Sequence, residues 1–297
     1  MAIGSLGLSL LAVGSGGTAL SEPARVAATN GPDLTALPLG DGKATSAGPR
    51  KGYLYTCQSG FGGPGAADGP WIHGSSYDLT AKYTVDGSVS WPNASFRKKL
   101  TRALLKLSGN GLPTNHTTGS FPIQPSDDAH SVDRNPNSIS AQSVALSLAA
   151  HPKRLKTPQC TPMGAVGIAR NGVAIFNAID AAGNDAVAHE VQDSCSGHPQ
   201  QSGQYHYHGL PDCISSGSGS KHSKLIGWAY DGFPIFGPLG PGGAYMRTSD
   251  LDACHGHTHK IAYQGEKQRL YHYHATAEFP YTIGCFRGEP VATGRPG

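Results

Sequence analysis

Charge is scarce in this chain. Only 14% of its 297 residues are Asp, Glu, Lys or Arg, and the formal net charge is +3. The basic residues form no stripe, since Arg97-Lys98-Lys99 and Lys153-Arg154 are short runs that read as solvated surface. Nucleic acid is therefore excluded as a partner. After Leu20 no apolar run approaches the roughly 18 residues that a membrane helix needs, so no span is expected in the mature chain. None of the six cysteines stands in a Cys-x-x-Cys pair, which argues against thiolate zinc and thioredoxin-like chemistry. A Gly-x-Ser-x-Gly elbow and a phosphate-binding loop with its lysine are both missing. The scattered acidic residues show no spacing that marks a glycosidase pair.

Gly and Pro, by contrast, are abundant. At 41 and 22 residues they make up about a fifth of the chain, which predicts many turns and short strands. The fold class expected is mainly β with few helices. Residues 1–28 read as a signal segment: Ile3–Leu20 is small and apolar like the h-region of a secretory signal, with cleavage expected between Ala19 and Ala28. Residues 29–52, rich in Gly, Pro, Ala and Asp, read as a linker, and 289–297 as a tail. Between them, an N-terminal β-rich part (53–160) and a duplicated part (161–288) are expected to form one compact domain. Within 96–107, Phe96, Leu100, Ala103, Leu104 and Leu107 share a helical face, so periodicity predicts a helix there against β-rich neighbours.

The duplication is explicit. Gly167-Ile168-Ala169-Arg170-Asn171-Gly172-Val173-Ala174-Ile175-Phe176 returns as Gly227-Trp228-Ala229-Tyr230-Asp231-Gly232-Phe233-Pro234-Ile235-Phe236. Asp193-Ser194-Cys195-Ser196-Gly197-His198 returns as Asp252-Ala253-Cys254-His255-Gly256-His257, and Tyr205-His206-Tyr207-His208 returns unchanged as Tyr271-His272-Tyr273-His274. Three blocks in one order, about sixty residues apart, exclude chance. Each unit reads as a hairpin, a loop and a strand, with Asn171-Gly172 and Asp231-Gly232 as tight-turn pairs. Two such units are expected to pack pseudosymmetrically against the N-terminal part. The repeat also suggests a disulfide map. Cys195 and Cys254 are equivalent, so each pairs with the cysteine that follows its own strand, Cys213 and Cys285, leaving Cys57 for Cys160.

Fourteen histidines, most of them after residue 188, are the compositional outlier. Side chains alternate along a strand, so His206 and His208 face one way and Tyr205 and Tyr207 the other; His272 and His274 repeat this beside Tyr271 and Tyr273. Two such strands can bring four imidazoles to one place, and neutral imidazole is the commonest metal ligand. His198 and His257, each three residues after a cysteine, are further candidate ligands. The tyrosines, Glu190 and Asp231 are candidate outer partners that orient the ligands. His189 beside Glu190 is a weaker candidate, whereas His130, His151, His222 and His255 read as exposed.

The paired Tyr-His-Tyr-His strands resemble the YHYH-domain family of exported proteins. So do Asp231-Gly232-Phe233-Pro234-Ile235-Phe236-Gly237-Pro238, the ending Tyr281-Thr282-Ile283-Gly284-Cys285-Phe286-Arg287-Gly288, Asn110–Gly119 and Asn135-Pro136-Asn137. The resemblance covers about residues 53–288. It implies export, secreted or periplasmic, and raises His116 to a candidate site member, with His73 weaker. Many imidazoles without free thiolate suit copper first and zinc second, and exclude calcium. The function expected is a secreted copper-binding protein, engaged in metal handling or redox. The alternative is a metal-dependent oxidoreductase or hydrolase acting on an extracellular small molecule or polymer.

Overall fold

The structure is a computed structural model that describes Met1 and residues 31–291. The signal segment expected over 1–28 and most of the tail lie outside the described residues. The N-terminal part supplies the two-residue strands β1 (Leu37–Pro38), β2 (Ala44–Thr45), β3 (Leu54–Tyr55), β4 (Ile72–His73) and β5 (Ser76–Tyr77). Next come β6 (Phe96–Leu100), β7 (Leu104–Gly109) and β8 (Val144–Ala149). The duplicated part begins with β9 (Ala165–Ala169) and β10 (Ala174–Phe176), followed by the one-turn helix α1 (Ala186–His189). β11 (Gly197–Pro199) and β12 (Tyr205–Tyr207) complete the first unit. The second unit supplies β13 (Leu225–Ala229), β14 (Pro234–Phe236), β15 (Gly256–Tyr263) and β16 (Glu266–His274). The chain is mainly β, as its composition implies.

One sheet of eight strands dominates, in the order β11-β12-β10-β9-β13-β14-β16-β15. Each half of that order has the same internal pairing. The hairpin β9–β10 is antiparallel, β12 runs parallel to β10, and β11 returns antiparallel to β12; β13–β14, β16 and β15 follow the same scheme. The halves meet where β9 pairs antiparallel with β13. These central strands are apolar and buried almost throughout, with Val166, Ile168, Ile226 and Trp228 at 3% exposure or less. The antiparallel sheet β6-β7-β8 contributes Leu105, Leu107 and Leu148 to the same core.

Three details differ from the sequence expectation. Residues 96–107 are two strands rather than a helix, because alternation places Leu105 and Leu107 inward while Leu100 and Ala103 lie exposed at the turn. A strand needs only one apolar residue in two, and full pairing of β7 with both neighbours satisfies more backbone than a lone helix would. The supposed linker also takes part in the fold: β1 pairs with β5, β2 with β3, and Leu37 is 1% exposed in a cluster with Trp71 and Tyr77. In the turns of the hairpins β9–β10 and β13–β14, only Gly172 and Gly232 have positive φ, at 93° and 87°. Asn171 and Asp231 instead accept from the backbone N–H two residues on, at Val173 and Phe233. The turns are thus closed by a side chain and a left-handed glycine rather than by two left-handed residues.

Three disulfides tie the chain together: Cys57–Cys160, Cys195–Cys213 and Cys254–Cys285, the pairs suggested by the repeat. The first sits in a strap. Cys57 N–H donates to Thr161 O at 2.9 Å and Tyr55 N–H to Gly284 O at 2.8 Å, so residues 53–57 lie between the start and the end of the duplicated part. This bond spans a sequence separation of 103, for which chain entropy predicts roughly 3 to 5 kcal/mol of stabilisation. Cys57→Ser with Cys160→Ser should lower the denaturant midpoint by that equivalent in equilibrium unfolding. An unchanged midpoint would mean that the strap is held by its backbone bonds alone.

Candidate metal centres

β11 and β12 place the first group of histidines. Their register sets His198 opposite His206, and His208 lies two residues further on the same face. The Nε2 atoms of His206 and His208 are 3.0 Å apart. Glu190, at the C-terminal end of α1, sends Oε2 to 3.3 Å from Nε2 of His208 and 3.5 Å from Nε2 of His198. All three imidazoles are 3% exposed. His206 Nδ1 lies 3.0 Å from Gln204 O and His208 Nδ1 2.5 Å from Asn177 O. A carbonyl can only accept, so each Nδ1 carries the hydrogen and donates it. Nε2 is then left as a bare lone pair pointing at its neighbours.

The second group has the same frame. His257 stands opposite His272, with His274 two residues on. Nε2 of His257 is 3.1 Å from that of His272 and 3.0 Å from that of His274, and Nε2 of His222 is 3.2 Å from that of His272. His272 and His274 donate from Nδ1 to Leu270 O and Gly237 O, while His222 and His259 donate to Ser223 O and Lys260 O. His259 belongs to the same group, with its Nε2 buried and without a hydrogen-bond partner. This group is more open than the first: His272 and His274 are fully buried, while His222, His257 and His259 are partly exposed.

Bare lone pairs repel unless something positive lies between them, and those of His206 and His208, and of His222 and His272, face each other at 3.0 and 3.2 Å with their Nδ1 hydrogens held elsewhere. Protons are a poor candidate here. Burial, with neighbouring imidazoles adding to it, holds His198, His206 and His274 well below the usual imidazole range; burial lowers His208 to about 4, His257 to about 4 and His272 to about 2. A metal ion fits. Two nitrogens about 2.1 Å from one ion are about 3.0 Å apart at a right angle and about 3.4 Å apart at the tetrahedral angle.

The four YHYH imidazoles do not converge on one place. β12 and β16 are separated by four intervening strands in the sheet, on the order of 24 Å at ordinary strand spacing, so each joins its own group. His198 and His257 lie in these groups as expected. His116 does not: its Nε2 is 2.7 Å from the Tyr207 hydroxyl, and the two sulfurs nearest it are those of the Cys195–Cys213 disulfide. Disulfide sulfurs are not thiolates, so that trio is no thiolate site. His189 stands between Asp41 (2.9 Å) and Asp68 (3.2 Å), apart from both groups, and Glu190 faces away from it towards His198 and His208. His222 and His255 are not the exposed residues expected. His222 joins the second group, and His255 is 1% exposed with Nε2 3.0 Å from the Thr276 hydroxyl. Nothing in the Gly/Ser-rich sequence around His222 signals its position.

The phenols on the opposite strand face are tied to carboxylates and an amide. Tyr205 donates to Asp193, Tyr271 to Asp252 and Tyr273 to Asp231, while the Tyr207 hydroxyl accepts from Asn171. Asp193 and Asp252 also accept from the backbone N–H groups of Cys195 and Gly197, and of Cys254 and Gly256. The loops that deliver His198 and His257 are thereby fixed to the YHYH strands. Trp228, Tyr230 and Phe233 belong to the core, and Trp228 also lines a cavity.

These features define a disulfide-bonded β-sheet protein with two histidine groups, one buried and one partly open. The family model described as YHYH protein matches residues 145–244, which supports membership of the YHYH family. That stretch holds the first YHYH strand and the second hairpin, about a third of the chain. Comparison with curated proteins finds no match, and comparison with solved structures finds none either.

The buried imidazoles predict a pH dependence for the metal-free protein. Their folded pKa values lie below the unfolded value near 6.5, so they stabilise above that pH and the contribution is lost as pH falls towards the folded values. For His208, lowered to about 4, the full window is worth on the order of 3 kcal/mol. The carboxyls of Asp133, Asp180, Asp185, Glu190, Asp193 and Asp231, raised by burial, act in the opposite sense, but they are six against nine lowered imidazoles, which include His222, His255 and His259. The urea midpoint of chelator-treated protein should fall between pH 7 and pH 5. A midpoint that stays level would mean that these imidazoles are already charged at neutral pH.

Proposed function

We propose that this is a secreted or periplasmic transition-metal-binding protein that holds ions at two histidine groups and serves metal handling or redox. The observation that carries the reading is the convergence of Nε2 lone pairs whose Nδ1 hydrogens are held by backbone carbonyls, His206 with His208 and His222 with His272. Carbonyl acceptors of this kind orient metal-bound histidines and raise their basicity. Copper is the favoured ion, with zinc the alternative, because the donors are nitrogen-rich and all six cysteines are oxidised. Three disulfides also suit an oxidising compartment. Among the described residues no helix is long and apolar enough to cross a membrane.

One observation favours a second reading, a metal-dependent enzyme acting on an extracellular substrate. A cavity of about 320 Å³, lined by Lys98, Trp228, Phe236 and Tyr263, adjoins the second group. Phe236 packs edge-on against His222 and His272, with ring centres 4.9 and 5.3 Å apart. A reaction would require the ion there to keep a coordination position free for substrate or water.

Elemental analysis of protein purified from an oxidising compartment tests the proposal. His206→Ala with His208→Ala should remove one ion per chain, and His272→Ala with His274→Ala the other. Chelation should cost about 2.7 kcal/mol of stability when free metal had been a hundredfold above Kd. Unchanged metal content in both double variants would sink the reading.

A further inference from the structure

The two groups share three corresponding imidazoles, but their remaining neighbours differ. His198, His206 and His208 match His257, His272 and His274 in register, and His206 and His208 match His272 and His274 in the carbonyls that hold them. Around this frame the first unit adds Glu190, and the second adds His222 and His259. Equivalent backbone bonds, Asn177 N–H to Gly164 O and Gly237 N–H to Lys224 O, align Pro162 with His222. The strand pairing likewise aligns Gln200 with His259. Conversely, Ser249 precedes Asp252 by the three residues that separate Glu190 from Asp193. The first unit cannot supply the two extra imidazoles, and the second cannot supply the carboxylate.

Resting on the metal-binding reading, we propose that Glu190 is a direct ligand in the first group, so that the protein carries two unlike sites: a closed three-histidine, one-carboxylate site for zinc and an open, all-imidazole site for copper. Glu190 Oε2 is buried, has no hydrogen-bond partner, and lies 3.3 and 3.5 Å from two ring nitrogens. One of these, His208 Nε2, has no hydrogen to offer, because its Nδ1 hydrogen is held by Asn177 O. Once ionised, the Glu190 carboxylate is an acceptor only, and an acceptor facing a lone pair needs a cation between them. Three imidazoles and one carboxylate match the donor number and type of tetrahedral zinc. They also leave a divalent ion with one net positive charge rather than two. Four or five neutral imidazoles around one ion favour copper, which heads the affinity order for nitrogen donors. Burial separates the sites kinetically as well. His198, His206 and His208 are each 3% exposed, while three of the five imidazoles in the second group reach solvent.

The experiment loads the full, disulfide-intact chain with zinc alone, copper alone and both together. Metal content is read by elemental analysis and copper by electron paramagnetic resonance. Wild type should hold one zinc that chelator removes slowly and one copper that it removes quickly. Glu190→Gln should weaken zinc at least tenfold and leave the copper spectrum unchanged. His222→Ala with His259→Ala should alter the copper spectrum and leave zinc in place. Should Glu190→Gln fail to fold, Glu190→Asp keeps the charge on a shorter arm and should release zinc faster than wild type. Zinc affinity unchanged in Glu190→Gln, or a release rate unchanged in Glu190→Asp, overturns the assignment of Glu190 and leaves metal binding standing. A wild-type chain that binds neither metal overturns both.

Discussion

The register in which β12 and β16 lie against β10 and β14 decides which face of the sheet receives imidazoles and which receives phenols. Ile175 pairs with Tyr207 and Ile235 with Tyr273, so both YHYH strands are set identically beside their hairpins. A slip of one residue would exchange the two faces. The phenols resist that slip, because each is buried against a partner of its own: Asp193, Asn171, Asp252 or Asp231. Displacing them would strand buried phenol hydroxyls without their partners, at about 1 to 3 kcal/mol for each group. The tyrosines thus hold the histidines in place from the far side of the sheet.

The loops depend on the same carboxylates. Asp193 and Asp252 accept from backbone N–H groups on both sides of a residue with positive φ, Ser196 in one loop and His255 in the other. A disulfide then closes each loop onto the chain beyond its YHYH strand. Each imidazole group is consequently held through a hydrogen-bonded aspartate and a covalent link at once. Such a frame fixes nitrogen positions before any ion arrives.

Much of this was legible in the sequence, because repetition needs no energy calculation to be seen. The duplicated blocks located the hairpins, the YHYH strands and the cysteine pairs, and alternation separated ring nitrogens from phenols. Periodicity failed at 96–107, where apolar residues at helical spacing also satisfied a hairpin, and tertiary pairing decided between them. Composition failed at 31–52, since Gly and Pro mark turns between short strands as readily as a linker. His222 and the orientation of Glu190 were illegible for another reason. Each reaches its group from a segment where the two units differ, so the repeat that revealed the other members of the groups was silent there.

The three disulfides follow one another along the chain without nesting or crossing: 57–160, 195–213 and 254–285. Under tension between its ends, the polypeptide can lengthen only through the segments outside these loops. About half of its contour is therefore mechanically hidden, including both YHYH strands. A single proteolytic cut within any loop would leave the two pieces joined. A chain of this build can be stretched or nicked and still keep each tyrosine–histidine strand covalently tethered.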